Sequence, residues 1–302
     1  MHRCVVQGVE NLFIPGITLH RPRTKDQVIE LMEKYEGSCR LMAGGTDLLV
    51  DLKSNLRLAD HIIVLSQVPD LRFIREDDDG LEIGALSSLN DLIDSDLVRQ
   101  HLPALSETAS TMASNQVRNL GTLGGNISSA VPSADAPPVL ISAGAVAHFH
   151  SADGERSVPL GEHFTGVRCT TCGGREFLTR ITIPKQPANS GSAYEKFQLR
   201  DANALAVASV AAWVRLDGGK VAESRIILGA VAPVPVHAEK AAKSLLGKSP
   251  NQETLEEAGR VARDECSPID DVRGSAEYRR HLVEVLTPRA LHRAAQRAGG
   301  MA

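Results

Sequence analysis

Two Gly-Gly pairs flanked by small polar residues are the features of this sequence that most directly indicate chemistry. One lies in residues 43–48, which read AGGTDL, and the other in residues 122–126, which read TLGGN. Paired glycines let another group approach the main chain closely, and successive backbone N–H groups in such loops bind anions. A Gly-Gly pair is also typical of a simple tight turn. Two such loops at separate places in the chain favour one extended ligand bound from two sides, and a pyrophosphate is the anionic group that such loops are expected to bind.

The segments around these pairs form an ordered set of motifs. Residues 43–53 read AGGTDLLVDLK, residues 116–140 read QVRNLGTLGGNISSAVPSADAPPVL, residues 194–214 read YEKFQLRDANALAVASVAAWV, and residues 271–291 read DVRGSAEYRRHLVEVLTPRAL. Together they resemble the FAD-binding medium subunit of molybdenum hydroxylases. That family includes carbon monoxide dehydrogenase, nicotinate dehydrogenase, hydroxybenzoyl-CoA reductase and the flavin portion of xanthine dehydrogenase. The resemblance runs almost from end to end of the chain.

The resemblance implies FAD as the cofactor, bound at its diphosphate through backbone amides of both glycine segments. The residues to which this role transfers are Ala43, Gly44, Gly45, Thr46, Asp47, Thr122, Gly124, Gly125 and Asn126. Substitution of the glycines is expected to be most harmful, because a Cβ atom would obstruct the approach of the ligand. Asp47 either contacts the ligand or accepts backbone N–H bonds that hold its own loop.

Five further positions are interpreted from the same resemblance. Asp135 is expected near the ribityl or adenosine end of FAD, accepting hydroxyl hydrogen bonds, although an ordinary Asx-turn is the alternative. The backbone of Leu178 matches a contact with the polar edge of the flavin, while its side chain reads as a strand leucine. Lys196 matches a lysine close to the flavin, where its charge would favour the reduced, anionic ring. Tyr194 either shields a ring face or is a sheet aromatic. Met112 stands where relatives place an aromatic against the adenine.

The pair Cys169 and Cys172 departs from the family pattern. The segment CTTCGG that follows Arg168 replaces a basic loop bearing leucine and proline in relatives. One C-x-x-C supplies half of a four-thiolate site, so the alternatives are ordinary reduced thiols or a metal or redox role. The other cysteines are scattered, at Cys4, Cys39 and Cys266.

Composition excludes several classes of protein. The chain has 302 residues, a net charge of −4 and a pI near 6.2, which argues against a general nucleic-acid binder. No apolar stretch approaches the roughly 20 residues that cross a bilayer, and the first residues lack the apolar core of a signal peptide. Five cysteines do not suggest a disulfide framework. A cytoplasmic location is therefore expected.

The pattern of helices and strands predicted around these residues indicates an α+β fold in three units. Residues 1–57 form a small α/β unit, the first FAD-binding subdomain, in which Thr24 and Gln27 have the spacing of a capping box. Residues 58–184 form a mixed, largely antiparallel α+β unit, the second FAD-binding subdomain. Residues 190–302 form a C-terminal flavoprotein domain, a three-stranded sheet backed by a helical bundle. Helices are predicted over residues 252–264 and 276–297.

The resemblance implies an FAD-bearing electron-transfer subunit of a heteromeric molybdenum hydroxylase. Its partners would be a large molybdopterin-binding subunit and a small iron–sulfur subunit, assembled as a dimer of heterotrimers. This chain would carry no catalytic side chain and no metal site, because the flavin does the chemistry. The alternatives are a stand-alone flavin oxidoreductase, such as the reductase that completes UDP-N-acetylmuramic acid, and a nucleotide-binding assembly factor without redox change. The sequence does not reveal the substrate or the electron acceptor.

Overall fold

The computed structural model describes residues 16–201 and 203–299. The strands within them are β1 Thr18–His20, β2 Cys39–Met42, β3 His61–Val64, β4 Ile74–Glu76, β5 Gly80–Gly84, β6 Val146–Ser151, β7 Gly154–Pro159, β8 Phe164–Gly166, β9 Cys169–Thr170, β10 Glu176–Pro184, β11 Ser190–Phe197, β12 Ala208–Asp217, β13 Lys220–Gly229 and β14 Val236–His237. The α-helices are α1 Lys25–Lys34, α2 Leu48–Lys53, α3 Leu89–Asp94, α4 Asp96–His101, α5 Pro103–Ser110, α6 Asn115–Leu120, α7 Leu123–Ser129, α8 Ala136–Ser142, α9 Glu239–Leu245, α10 Gln252–Asp264 and α11 Ala276–Arg297.

The first unit is a three-stranded parallel sheet in the order β1-β3-β2, with α1 packed on it. Its central strand β3 is His61–Val64, so this unit extends beyond residue 57, where the sequence analysis ended it. Thr24 caps α1 by accepting a hydrogen bond from the backbone N–H of Gln27 at 3.2 Å, as the sequence predicts. The Gln27 side chain accepts from the backbone N–H of Arg23 rather than from that of Thr24. The apolar face of α1 buries Val28 and Met32 against the sheet. This packing fixes β2, which leads directly into the first glycine segment.

The second unit is a five-stranded antiparallel sheet in the order β4-β5-β10-β6-β7, covered by helices α3, α4, α5, α7 and α8. Ser88 and Asp91 form a complete capping box at the start of α3. Pro103 begins α5, where its missing N–H is not needed. The core between the sheet and the helices is largely aliphatic.

The third unit is a four-stranded antiparallel sheet in the order β11-β12-β13-β14, packed against α9, α10 and α11. Three of these strands were predicted; the fourth, β14, is a two-residue strand paired with β13 and too short to give an alternation pattern. The bounds of α10 and α11 are those predicted. Gly259 of α10 approaches α11 so closely that a Cβ there would lie 2.5 Å from the carbonyl oxygen of Glu284. That carbonyl lies four residues before Pro288, which has no N–H to donate to it.

The mixed α+β fold predicted from the sequence is confirmed. In the part of the chain that the structure describes, no helix combines the length and the apolar character needed to cross a membrane.

Candidate functional site

A cavity of about 620 Å³ lies where the two glycine segments meet the central strand β10. Most of the residues expected to bind the cofactor line it: Ala43, Gly44, Gly45, Thr46, Asp47, Thr122, Gly124, Gly125, Asn126, Asp135 and Leu178. Met112 lines it as well. Tyr194 and Lys196 are not on its lining, and they reach the site through Asp135. The structure therefore brings together in one cavity residues that are far apart in sequence.

The first glycine segment presents a row of free backbone donors. It connects β2 to α2, and Gly45 adopts a left-handed conformation with φ of +72°, which favours glycine. Among the described residues, none accepts a hydrogen bond from the N–H of Gly44, Gly45, Thr46 or Asp47. These residues are partly buried or exposed, so their N–H groups are open to solvent or to a ligand. Four successive free donors beside a cavity form an arrangement suited to an anion such as a diphosphate.

The second glycine segment is a helix start rather than the loop expected from its sequence. Thr122 is the N-cap of α7 and accepts a hydrogen bond from the N–H of Gly125 at 3.0 Å. Gly124 donates its N–H to the carbonyl oxygen of Ala85 at 2.9 Å, and Asn126 donates to that of Thr122 at 3.0 Å. These backbone donors are therefore already used within the protein. The segment instead offers the cavity the Asn126 side chain, whose buried Oδ1 has no hydrogen-bond partner in the described residues.

The glycines at two positions are required by contacts within the protein. A Cβ at Gly44 would lie 1.7 Å from the carbonyl oxygen of Leu120, and a Cβ at Gly124 would lie 2.6 Å from that of Ala85. The expectation that a Cβ would mainly obstruct the ligand is thus corrected at these two positions, where it would collide with the chain's own backbone. Asp47 accepts a hydrogen bond from the Ser129 hydroxyl at 2.5 Å. It holds its loop through a side chain rather than through backbone N–H groups.

Asp135 lies in the cavity wall with both carboxylate oxygens occupied. The Tyr194 hydroxyl donates to one oxygen at 2.5 Å, and the Lys196 ammonium donates to the other at 3.0 Å. Lys196 also donates to the carbonyl oxygen of Thr111 at 3.2 Å. Burial raises the pKa of Asp135, and the Lys196 charge opposes that rise. Burial, followed by the Asp135 carboxylate, raises the pKa of Tyr194 well above its ordinary value. The charge of Lys196 is therefore matched by a carboxylate rather than being free to act on a ligand.

Sequence reasoning missed a group of charged residues on the same cavity. Arg40, Arg57, Arg168 and Asp51 all line it. Asp51 is 4% exposed; it accepts a hydrogen bond from Arg168 Nη1 at 2.6 Å and lies 3.2 Å from Arg57 Nε. An acidic residue inside the apolar run LLVDLK was the available signal, because a buried carboxylate needs a cationic partner.

The two cysteines of the C-x-x-C pair have different surroundings. Cys169 is exposed, whereas Cys172 is half-buried, packs against the core and lines the cavity. Burial, aided by the charge of Glu176, raises the pKa of Cys172 to about 12. Both are free thiols, and the described residues contain no group of three or more side chains that could hold a metal ion. Cys4, which the sequence analysis counted with the scattered cysteines, lies outside the described residues.

Comparisons with known proteins agree with this geometry. Residues 15–186 match the family described as "FAD binding domain in molybdopterin dehydrogenase", and residues 192–294 match "CO dehydrogenase flavoprotein C-terminal domain". The chain is 34% identical to the carbon monoxide dehydrogenase medium chain of Hydrogenophaga pseudoflava, over 93% of this chain and 97% of that protein. It is 33% identical to the xanthine dehydrogenase FAD-binding subunit of Escherichia coli O157:H7, with the same coverage of both chains.

A solved structure of carbon monoxide dehydrogenase from Hydrogenophaga pseudoflava superposes with a TM-score of 0.92 at 35% identity, covering 94% of this chain and 99% of that one. The fold and the donor-lined cavity define an FAD-binding component of an oxidoreductase. More specifically, the chain belongs to the FAD-binding medium subunits of molybdenum hydroxylases. Its cofactor is FAD, and the free N–H groups beside the cavity, with the unpartnered Oδ1 of Asn126, fit a ligand of that kind.

Proposed function

We propose that this chain carries electrons through FAD within a heteromeric molybdenum hydroxylase, taking them from iron–sulfur clusters of a partner subunit and passing them to an external acceptor. The observation that carries the proposal is the row of four free N–H donors beside a cavity of about 620 Å³. Proteins named as carbon monoxide dehydrogenase medium chains and as a xanthine dehydrogenase FAD-binding subunit, similar over more than nine-tenths of the chain, support it.

The proposal assigns each part of the cavity a role in holding FAD. The first glycine segment, residues 43–47, binds the diphosphate through backbone N–H groups. From the second segment, Thr122 shapes the helix start, Gly124 and Gly125 allow close packing, and the Asn126 amide meets the cofactor. The backbone of Leu178 on β10 lies along the same cavity. The first FAD-binding subdomain is then built on the β1-β3-β2 sheet and extends past residue 57 to include β3, and the second is built on the β4-β5-β10-β6-β7 sheet. The C-terminal domain supports Asp135 through Tyr194 and Lys196 of β11.

Bound FAD supplies the reversible uptake and release of electrons, so the protein has to bind it, orient it and control the charge around it. Asp135 contributes a carboxylate neutralised by Lys196 and held by Tyr194. We infer that Tyr194 and Lys196 act on the cofactor through Asp135, rather than by direct contact. A neutral, hydrogen-bonded pair at the cavity wall changes the local potential less than a free ammonium would.

The proposed partners are a large molybdopterin-binding subunit and a small iron–sulfur subunit, assembled as a dimer of heterotrimers. The terms "medium chain" and "FAD-binding subunit" in the names of the relatives support a multi-subunit assembly. The partner subunit that carries the molybdenum centre determines which substrate the complex oxidises. A cytoplasmic location remains a prediction.

The test is purification of the chain, alone and co-expressed with the products of its neighbouring genes, followed by flavin analysis. The expected result is one FAD for each copy of the chain in the complex, reduced under anaerobic conditions when the complex receives its substrate. A complex that is active without flavin would refute the proposal. A chain that turns over a substrate of its own without any partner would favour the stand-alone oxidoreductase instead.

A further inference from the structure

Arg168 connects α2, which follows the first glycine segment, to α7, whose first turn is formed by the second glycine segment. Its side chain donates from Nη1 to the Asp51 carboxylate at 2.6 Å, and Asp51 lies in α2, directly after the first segment. Its backbone N–H donates to the carbonyl oxygen of Ala130 at 2.9 Å, and Ala130 is the C-cap of α7, which starts with the second segment. One residue from the β8–β9 hairpin therefore contacts both halves of the site.

The contact with Asp51 is strongly constrained. Asp51 is 4% exposed, so its buried carboxylate depends on the two cations that face it, Arg168 and Arg57. Arg57 lies 3.2 Å from the same carboxylate but comes from the turn after α2, so it cannot tie α2 to the other half of the site. Arg168 provides that long-range connection, over 117 residues of chain.

Backbone conformation supports the same interpretation. Arg168 adopts a left-handed φ of +57°, and Ala130 adopts one of +46°. Each such conformation is unfavourable for a residue with a side chain, and it persists only when surrounding contacts enforce it. The two strained residues are hydrogen-bonded to each other, at the edge of the cavity that Arg168 lines. The hairpin is therefore held against α7 while its arginine reaches α2.

We propose that Arg168 is a positioning residue, which holds α2 and α7 in the one relative orientation that closes the site around FAD and thereby sets how slowly FAD leaves. The inference rests on the proposed placement of FAD in this cavity. Its partner in the role is Asp51, while the Ser129 hydroxyl bound to Asp47 provides a second connection between the same two helices. No proton or electron transfer is assigned to Arg168.

The experiment measures the rate of FAD release from the purified, FAD-loaded complex, followed by the fluorescence of free flavin. R168Q should release FAD at least about tenfold faster than the wild type, because a charge-assisted hydrogen bond across the site is lost. R168K, which keeps the charge but loses the planar guanidinium fork, should restore part of the slow release. R168G removes the side chain and also relieves the strain of the left-handed backbone at residue 168. It should release FAD as fast as R168Q, because the side chain rather than the main-chain strain is expected to hold the two helices.

A matched control is R175Q, which breaks an exposed pair in which Arg175 lies 3.2 Å from Glu36. It should leave FAD release unchanged. D51N should speed release, and the double variant D51N/R168Q should be no faster than the faster single variant, because both remove the same interaction. R168Q releasing FAD at the wild-type rate, or losing only thermal stability, would overturn the inference. A wild-type complex without FAD would instead overturn the proposed function, and the inference with it.

Discussion

Gly44→Ala is the most discriminating substitution that the structure offers. In the protein, the Cα of Gly44 faces the backbone of Leu120, at the end of the helix before the second glycine segment. The added Cβ would lie 1.7 Å from the Leu120 carbonyl oxygen and 2.5 Å from its carbonyl carbon. Both neighbours are main-chain atoms, so no rotation of a side chain relieves the collision.

The size of the effect follows from that distance. Close carbon–oxygen contacts in proteins are about 3.3 Å, so the two segments must separate by about 1.5 Å. Overpacking of a well-packed region costs typically 1–3 kcal/mol, and a main-chain collision belongs at the upper end, about 3 kcal/mol. The melting temperature should fall by about 6 °C or more. Because both segments border the cavity, a shift of this size should also weaken FAD binding.

The assay is thermal unfolding together with the FAD content of the purified complex, compared with Gly174→Ala. An alanine at Gly174 would meet no atom within 4 Å, so that control should behave as wild type. Gly125→Ala is an intermediate case, since its Cβ would lie 3.0 Å from the Thr122 hydroxyl alone. G44A with the stability and flavin content of G174A would refute the claim that close backbone packing joins the two segments.

Three further outcomes are expected. K196M should lower the free energy of unfolding, measured by chemical denaturation, by about 3 kcal/mol, because Asp135 is left buried without its cation. The double variant D135N/K196M should recover part of that loss. Equal stability of the single and double variants would contradict the pairing of Asp135 with Lys196. Burial, followed by the charge of Arg156, lowers the pKa of His163 to about 4. The neutral His163 side chain therefore contributes to the free energy of unfolding above pH 6.5, its ordinary pKa, and this contribution is lost as the pH falls toward 4. His163→Phe should therefore flatten the melting temperature between pH 6.5 and 4, and an unchanged slope would count against this. Iodoacetamide followed by peptide mass spectrometry should modify Cys169 rapidly and Cys172 slowly, because the Cys172 thiol has a pKa of about 12; equal rates would argue against the different surroundings.

Local signals in the sequence were sufficient for much of the fold. The start of α1 at Thr24 and the bounds of α10 and α11 depend on caps and on apolar spacing within a few residues. Such signals are complete within one stretch of chain, so they could be interpreted without knowing the tertiary structure. The family resemblance then supplied FAD and the approximate place of the site.

What could not be predicted depends on contacts between distant residues. The segment that forms α7 was expected to be a loop because its Gly-Gly pair was interpreted as a place where a ligand approaches the main chain. In the structure the carbonyl oxygens of Ser87 and Ala85 hold the first turn of a helix in place. Lys196 was placed beside the flavin from the family resemblance, and nothing in its own motif shows that Asp135, 61 residues earlier, accepts its hydrogen bond. The contact between Asp51 and Arg168 joins residues 117 positions apart, and the only sign of it in the sequence is an acidic residue within an apolar run.

The support of Asp135 by β11 has a consequence for how the protein is made. A ribosome synthesises Asp135 well before it adds Tyr194 and Lys196, which bind its carboxylate. The interval between synthesis and pairing is longer for Glu107 of α5, because its partners Arg293 and Arg297 lie in α11. The nascent FAD-binding half therefore emerges with unpaired acidic groups that only later-translated residues neutralise. A ribosome-stalled fragment that stops before β11 would expose an incomplete cavity wall, so loading of the cofactor is expected after translation has passed that strand.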